Sequence, residues 1–289
     1  MAPTSLPLPP QQVTVRVVDE EGPLLSEPRA SFLRADDLGV LRGDGVFERF
    51  LVLSGSPRHL EDHLLRLARS AGQVDLLIPQ AQAWRAAVDL AVRAWLGGEE
   101  WEMRLVCTRG PEEGGAPFAY VLGQELSSRV LSQRRDGIAV MTLPRAFEGL
   151  NAEAPWLLVG AKTLSYAVNM AALRFVRSRG ADDAIFFGLD TKVSEGPTSS
   201  VVAAFGRSLV SPPPSAGILA SISTAHLFDR ASAAGWEVSR RDLTVDDLFS
   251  AEGLWLCSSL RLARVHTLDG KDLGPSAAHP ELAAFTAAD

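Results

Sequence analysis

Strand-like and helix-like periodicities alternate along this chain in two blocks, with the polar stretch "SSRVLSQRRD" opening the second. In the first block, "VTVRVVDEEG" alternates like a strand and ends in a turn. "SFLRADDLGVLRGDGVFERFLVLSGSPRHL" reads as loop, strand, hairpin turn at "SGSP" and helix entry. The helix "LEDHLLRLARSAG" places Leu60, Leu64, Leu65, Leu67 and Ala68 at near-helical spacing, and "AQAWRAAVDLAVRAWLGG" gives a second helix closed by two glycines. "EMRLVCTRG" and "AYVLGQEL" then read as paired strands around the turn "GPEEGGAP". The second block runs from the strand "GIAVMTLPRAF" to Lys162, which opens the helix "LSYAVNMAALRFVRSRG". The hairpin "DDAIFFGLDTKVSEG" and the strand "SSVVAAFG" follow. A helix "TAHLFDRASAAG" with Thr224 as its cap comes next, and "GLWLCSS" and "RLARVHTLDG" supply the last strands.

This mixture predicts an α/β (mixed α+β) fold. A length of 289 residues exceeds the roughly 100–200 of a common domain, so two domains are expected. The division expected is a disordered tail over 1–12, a small N-terminal α/β domain over 13–124, a linker over 125–129 and a larger C-terminal domain over 130–289.

A net charge of −7 argues against a nucleic-acid surface, and it gives no reason to expect an anionic membrane as partner. No apolar run approaches the roughly 20 residues of a membrane span, and "MAPTSLPLPPQQ" lacks the pattern of a signal peptide. Cys107 and Cys257 stand alone in apolar runs, which suits reduced core thiols and a cytoplasmic setting rather than a disulfide framework. No metal site is expected. His59 and His63 stand four apart on a helix, but they lack a third ligand and the H-E-x-x-H pattern, so a solvated helix face is the reading. Arg42-Gly43-Asp44 spells an adhesion tripeptide with no secretory signal beside it. P-loop, G-x-G-x-x-G and G-x-S-x-G motifs are absent, leaving ATP hydrolysis, dinucleotide binding and α/β-hydrolase chemistry without support.

The chain holds three lysines against 25 arginines. Lys192 and Lys271 lie in polar turn sequences, whereas Lys162 follows the apolar run "LLVGA". A lysine is rarely buried unless something pairs with it or uses it. An amine can form a Schiff base with a carbonyl, and pyridoxal phosphate is the commonest carbonyl cofactor of that kind. Such a cofactor needs a carboxylate for its ring nitrogen, and amides, hydroxyls or a cation for its phosphate. Glu195 lies in a strand-turn context where it could return to the lysine, Ser221-Ile222-Ser223 precede a helix, and Ser258 and Ser259 end an apolar strand.

Taken together these residues resemble the class IV aminotransferases, the fold-type-IV group of pyridoxal-phosphate enzymes. The resemblance runs from about Phe32 to Leu268 through "RGDGVFE", "HLLRLARSA", "AKTLSYAVNMAAL", "GADDAIFF", "EGPTSSVV" and "LCSSLRLARVHTLDG", in the family's order. It implies that Lys162 is the Schiff-base lysine and catalytic base, and that Glu195 pairs with the pyridine nitrogen. It further implies that Arg66, Ile222, Ser223 and Ser259 bind the phosphate. Arg104 and Arg109 fall where relatives place arginines for a substrate carboxylate. The resemblance also implies a homodimer acting on a small amine or amino acid, with the cofactor in the cleft between domains.

Branched-chain aminotransferases carry a tyrosine five residues after the lysine, where this chain has Ala167 and places Tyr166 one residue earlier. Their cofactor helix opens Gly-Ile-Thr in place of Ser221-Ile222-Ser223, and Ser200 stands where many relatives have asparagine. The motifs look closest to actinobacterial-type aminodeoxychorismate lyases, which implies formation of 4-aminobenzoate and pyruvate in folate biosynthesis. The alternatives are a branched-chain or D-amino-acid aminotransferase of the same family and a non-catalytic binding protein.

Overall fold

The computed structural model describes residues 12–18, 22–26, 33–145 and 154–287. The tail expected over 1–12 lies outside these residues apart from Gln12, which opens the first strand. Two compact units form. One comprises the described residues up to Ala68 together with Leu76–Leu126, and the other comprises Arg69–Asp75 together with the chain from Ser127 onward.

The first unit contains β1 (Gln12–Arg16), β2 (Leu24–Ser26), α1 (Leu38–Leu41), β3 (Gly45–Leu53), β4 (Ser56–Pro57), α2 (Leu60–Gln73) as far as Ala68, α3 (Ala81–Ala94), β5 (Glu100–Thr108) and β6 (Phe118–Glu125). Its sheet is antiparallel, in the order β2-β1-β6-β5-β3-β4. Strand alternation gives it one apolar face, with Val46, Phe50, Met103, Leu105 and Val121 buried. The helices contribute Leu64 and Leu67 from α2 and Trp84, Val88 and Ala91 from α3 to the buried interior. Arg49 and Arg104 are paired opposite one another in register and share the other face with Glu102 and Tyr120. The expected strand pair around "GPEEGGAP" is β5 with β6, joined through eight registered positions.

The second unit contains α4 (Ser128–Asp136), β7 (Ile138–Pro144), α5 (Ala167–Arg177), β8 (Asp183–Phe187), β9 (Ser200–Phe205), β10 (Ser208–Ser211), α6 (Ile222–Ala233), β11 (Glu237–Arg240), α7 (Val245–Ser250), β12 (Gly253–Ser258), β13 (Arg261–Leu268), β14 (Lys271–Asp272) and α8 (His279–Ala287). The sheet runs β11-β10-β9-β12-β13-β7-β8, with β14 on β13. The pairs β10–β11, β13–β7 and β7–β8 are parallel, and the others are antiparallel. Both faces are buried, which explains the continuous apolar runs in β9 and β12. Val201, Ala203, Leu254 and Leu256 pack with Leu248 of α7, while Val202, Ala204, Trp255 and Cys257 pack with Leu227 of α6 and Leu282 of α8.

Three local expectations are corrected. The polar stretch at the start of the second block folds as α4, because Ser127 accepts from the Val130 amide at 3.3 Å and Gly137, at φ 80°, ends the helix. The helix after Lys162 begins only at Ala167. The Tyr166 amide bonds the Leu164 carbonyl at 2.7 Å, closing a tight turn ahead of it. The cap of α6 is Ser221, whose hydroxyl accepts from the Thr224 amide at 3.1 Å, while Thr224 is buried inside the first turn.

Candidate active site

Lys162 sits half-buried in the loop before α5. Its backbone N–H donates to the Ser70 hydroxyl of α2 at 3.0 Å, and its Nζ donates to the Tyr166 hydroxyl at 3.4 Å. The other two lysines are exposed. Lys192 is held by Asp242 at 3.1 Å and Asp190 at 3.2 Å, and its hydrogen bonds to these carboxylates raise its pKa, keeping it protonated. Lys271 lies over the Phe249 ring at 5.3 Å. Lys162 is therefore the lysine placed in a partly desolvated setting.

Glu195 follows the hairpin of β8, where the Phe186 amide bonds its carbonyl at 2.8 Å. Its carboxylate accepts from the Leu219 amide at 3.2 Å and faces Arg145 Nη1 at 4.0 Å. Gly196 is required next. A Cβ there would stand 2.6 Å from Ser199 Oγ and 3.0 Å from the Ala184 carbonyl. Asn169 of α5 donates to the Pro197 carbonyl at 2.6 Å, tying the helix that follows Lys162 to the loop that carries Glu195.

Leu219 stands three residues before Ile222, the first residue of α6. The Thr224 and Ala225 amides bond to Ser221. The Ile222 and Ser223 amides ahead of them have no partner among the described residues, as expected of a helix start. The Ser223 hydroxyl donates to that of Ser259, in the turn between β12 and β13, at 3.4 Å. Contacts thus run from Lys162 through α5 to Glu195, and from Glu195 through Leu219 to Ile222, Ser223 and Ser259.

The remaining residues singled out in the sequence lie in the first unit. Arg66 clasps Glu48, Nε to Oε1 and Nη2 to Oε2, both at 2.7 Å. His63 Nδ1 meets Oε2 of the same carboxylate at 2.7 Å. Burial alone would push the Glu48 pKa up. The hydrogen bonds from Arg66 and His63 outweigh it and hold the carboxyl at about 2. His63 is buried, which corrects the solvated-face reading of the His59/His63 pair, because position 63 falls on the inner side of α2 with Leu64 and Leu67. Arg109 is clasped by Asp44 at 2.6 and 3.2 Å. Arg104 donates to Glu102 at 3.0 Å, a carboxylate that Arg49 also holds, and its own Nε is buried with no hydrogen-bond partner among the described residues.

Residues 45–267 match the family Amino-transferase class IV. The chain belongs to this family. Among curated proteins it is 45% identical over 268 residues to a bifunctional aminodeoxychorismate lyase / D-amino acid transaminase of Mycobacterium tuberculosis, covering 89% of this chain and 92% of the relative. A solved structure of a hypothetical aminotransferase from Mycobacterium tuberculosis in a PLP-bound form superposes with a TM-score of 0.91 at 42% identity, covering 96% of this chain and 98% of that one. A hypothetical aminotransferase from the same organism, with α-ketoglutarate and PMP bound, gives 0.91 at 43% identity with the same coverage.

Class IV aminotransferases depend on pyridoxal phosphate, and the donor set of this class IV chain fits that cofactor. A primary amine, a carboxylate, two unpartnered helix-start amides and two serine hydroxyls lie along one run of contacts. This is the combination that an aldehyde, a pyridine nitrogen and a phosphate need. Sequence reasoning missed Glu48, Ser70 and Arg145, and it noted Tyr166 only as a displaced residue. Two signals were present. Glu48 alternates in phase with Val46 and Phe50 on a buried strand face, and Tyr166 follows Lys162 by four residues.

Proposed function

We propose that this chain is a pyridoxal-phosphate-dependent aminodeoxychorismate lyase that forms 4-aminobenzoate and pyruvate. The observation that supports it most is the run of contacts joining Lys162, Glu195 and the α6 start, in a chain 45% identical to a bifunctional lyase/transaminase. When bound, the cofactor supplies an aldehyde that takes up amines and a ring that accepts negative charge from the adjoining carbon. Lys162 would hold the cofactor through its Nζ and, once displaced by a substrate amine, would be the base for the proton on the carbon bearing that amine. The neighbouring enolpyruvyl ether departs and is released as pyruvate, and the substrate ring becomes aromatic. Tyr166 holds a hydroxyl within reach of Nζ, where it can hold or pass that proton. Glu195 would pair with the ring nitrogen and keep it protonated. The Ile222 and Ser223 amides, the Ser223 and Ser259 hydroxyls and Arg66 bind the phosphate.

Of the two candidate arginines, Arg104 is the better carboxylate ligand. Arg109 is clasped by Asp44 through two of its nitrogens, whereas Arg104 meets the Glu102 carboxylate through one nitrogen and shares that carboxylate with Arg49. The unbonded Nε of Arg104 adds a donor in want of an acceptor.

D-amino-acid transamination is the second reading. It is favoured by the relative's bifunctional name and by the related structure that holds α-ketoglutarate and PMP. In that reading Lys162 would be the group that moves the proton between substrate and cofactor, and the product would be a keto acid. Supplying aminodeoxychorismate, then D-amino and branched-chain amino acids, separates these activities. Release of 4-aminobenzoate with pyruvate supports the lyase, and keto-acid formation without 4-aminobenzoate overturns it. The proposal extends to a cytoplasmic homodimer serving folate biosynthesis, and sedimentation at working concentration should give twice the 31.0 kDa chain mass.

A further inference from the structure

The Glu48 carboxylate is fully buried on the face of β3 that otherwise presents Val46, Phe50 and Val52 to the interior. Burying an ion costs several kcal/mol unless partners satisfy it, and a buried ion pair is weak evidence for stability. Here the satisfaction is thorough. Arg66 supplies two donors and His63 a third, all at 2.7 Å. A carboxylate only accepts, so His63 must carry its proton on Nδ1. The imidazole is also fixed from the other side, with its ring centroid 4.9 Å from that of Phe50. Arginine has many rotamers, and a fork-to-fork clasp on a rigid strand selects one of them. Packing needs no charged group at this position. An arginine whose direction matters does.

We propose that Glu48, itself held by His63, is a positioning residue that aims the Arg66 guanidinium at the cofactor's phosphate. This rests on the phosphate role proposed above for Arg66. Glu48 touches neither cofactor nor substrate and acts only through Arg66. Its effect should therefore be confined to ligands that carry a phosphate.

The test is to strip the full-length protein of cofactor and titrate it, by absorbance, with pyridoxal phosphate and with pyridoxal, which lacks the phosphate. Glu48→Gln keeps the side chain's shape and removes its charge. It should raise the dissociation constant for pyridoxal phosphate about tenfold, the scale of a misaligned charge-assisted hydrogen bond, and leave that for pyridoxal unchanged. Combined with Arg66→Ala it should add nothing to the loss caused by Arg66→Ala alone. If Glu48→Gln weakens both ligands alike, or adds in full to Arg66→Ala, Glu48 is a structural residue and the proposal is wrong. If Arg66→Ala itself fails to distinguish the two ligands, the phosphate role of Arg66 falls, and this proposal with it. If Arg66→Ala discriminates and Glu48→Gln does not, only the positioning role falls. Should Glu48→Gln yield no soluble protein, Glu48→Asp replaces it. It keeps the charge but is too short to span Nε and Nη2, and the same selectivity is expected and the same outcomes overturn it.

Discussion

Two charged clusters in this protein are built in opposite ways. Around Glu48 in the first unit, carboxylate, guanidinium and imidazole are buried and bonded at 2.7 Å. Around Lys162 and Glu195 in the second unit, the charged groups are half-buried, and their contacts stretch to 3.4 Å at Tyr166 and 4.0 Å at Arg145. The first arrangement fixes the direction of its guanidinium through short, buried bonds. The second keeps reactive groups near water and within reach of a ligand. A buried ion pair by itself marks no reaction centre, and a half-buried amine is the better place to look for chemistry.

Substitutions should separate the clusters by the quantity each one changes. Lys162→Ala removes the proposed covalent anchor and base together, so turnover should fall at least about a thousandfold while stability barely moves. Steady-state rates alongside thermal melts check this, and retained turnover would erase the contrast. Glu195→Gln should cost about a hundredfold in turnover, because an amide cannot hold a proton on the ring nitrogen as a carboxylate does. Wild-type rates in that variant would place the carboxylate elsewhere.

At Glu48 the expected readout is stability against pH. Its carboxyl is held at about 2 against an ordinary 4.5. The stability it contributes is present above pH 4.5 and drains away as pH falls towards 2, on the order of 3 kcal/mol across that window. Denaturant titrations between pH 6 and 3 should show Glu48→Gln losing less stability on acidification than the parent, from a lower starting value. Parallel curves would mean that the carboxylate is not tightly held in the folded chain.

How much of this was readable in advance depended on the range of each cue. Lys162 and Glu195 could be put forward because an amine after an apolar run and a carboxylate in a strand-turn context coincide with motifs that resemble one family. The strands β5 and β6 were legible because alternation and a glycine-rich turn are local signals. Glu48 and His63 were not. Their bond joins a strand to a helix, and each residue alone passes for a solvated polar side chain. The cap of α6 was misjudged at Thr224 because serine and threonine stand in succession at 221, 223 and 224, and only the bond from the Thr224 amide to Ser221 distinguishes them.

Arg104 and Arg109 give the smallest expected effect and the finest contrast within one strand end. Arg104→Ala should raise the KM for a dicarboxylate substrate about tenfold with kcat nearly unchanged, since it removes a binding contact. Arg109→Ala should leave KM alone and lower stability by loosening Asp44. A reversal of these two results would reassign the carboxylate ligand.

The most direct measurement exploits the scarcity of lysine in this chain. Borohydride reduction of the protein in the presence of pyridoxal phosphate, followed by peptide mapping, fixes the cofactor to whichever amine held it. The label should fall on Lys162, the half-buried amine beside Tyr166. A label on Lys192 or Lys271 would contradict the account.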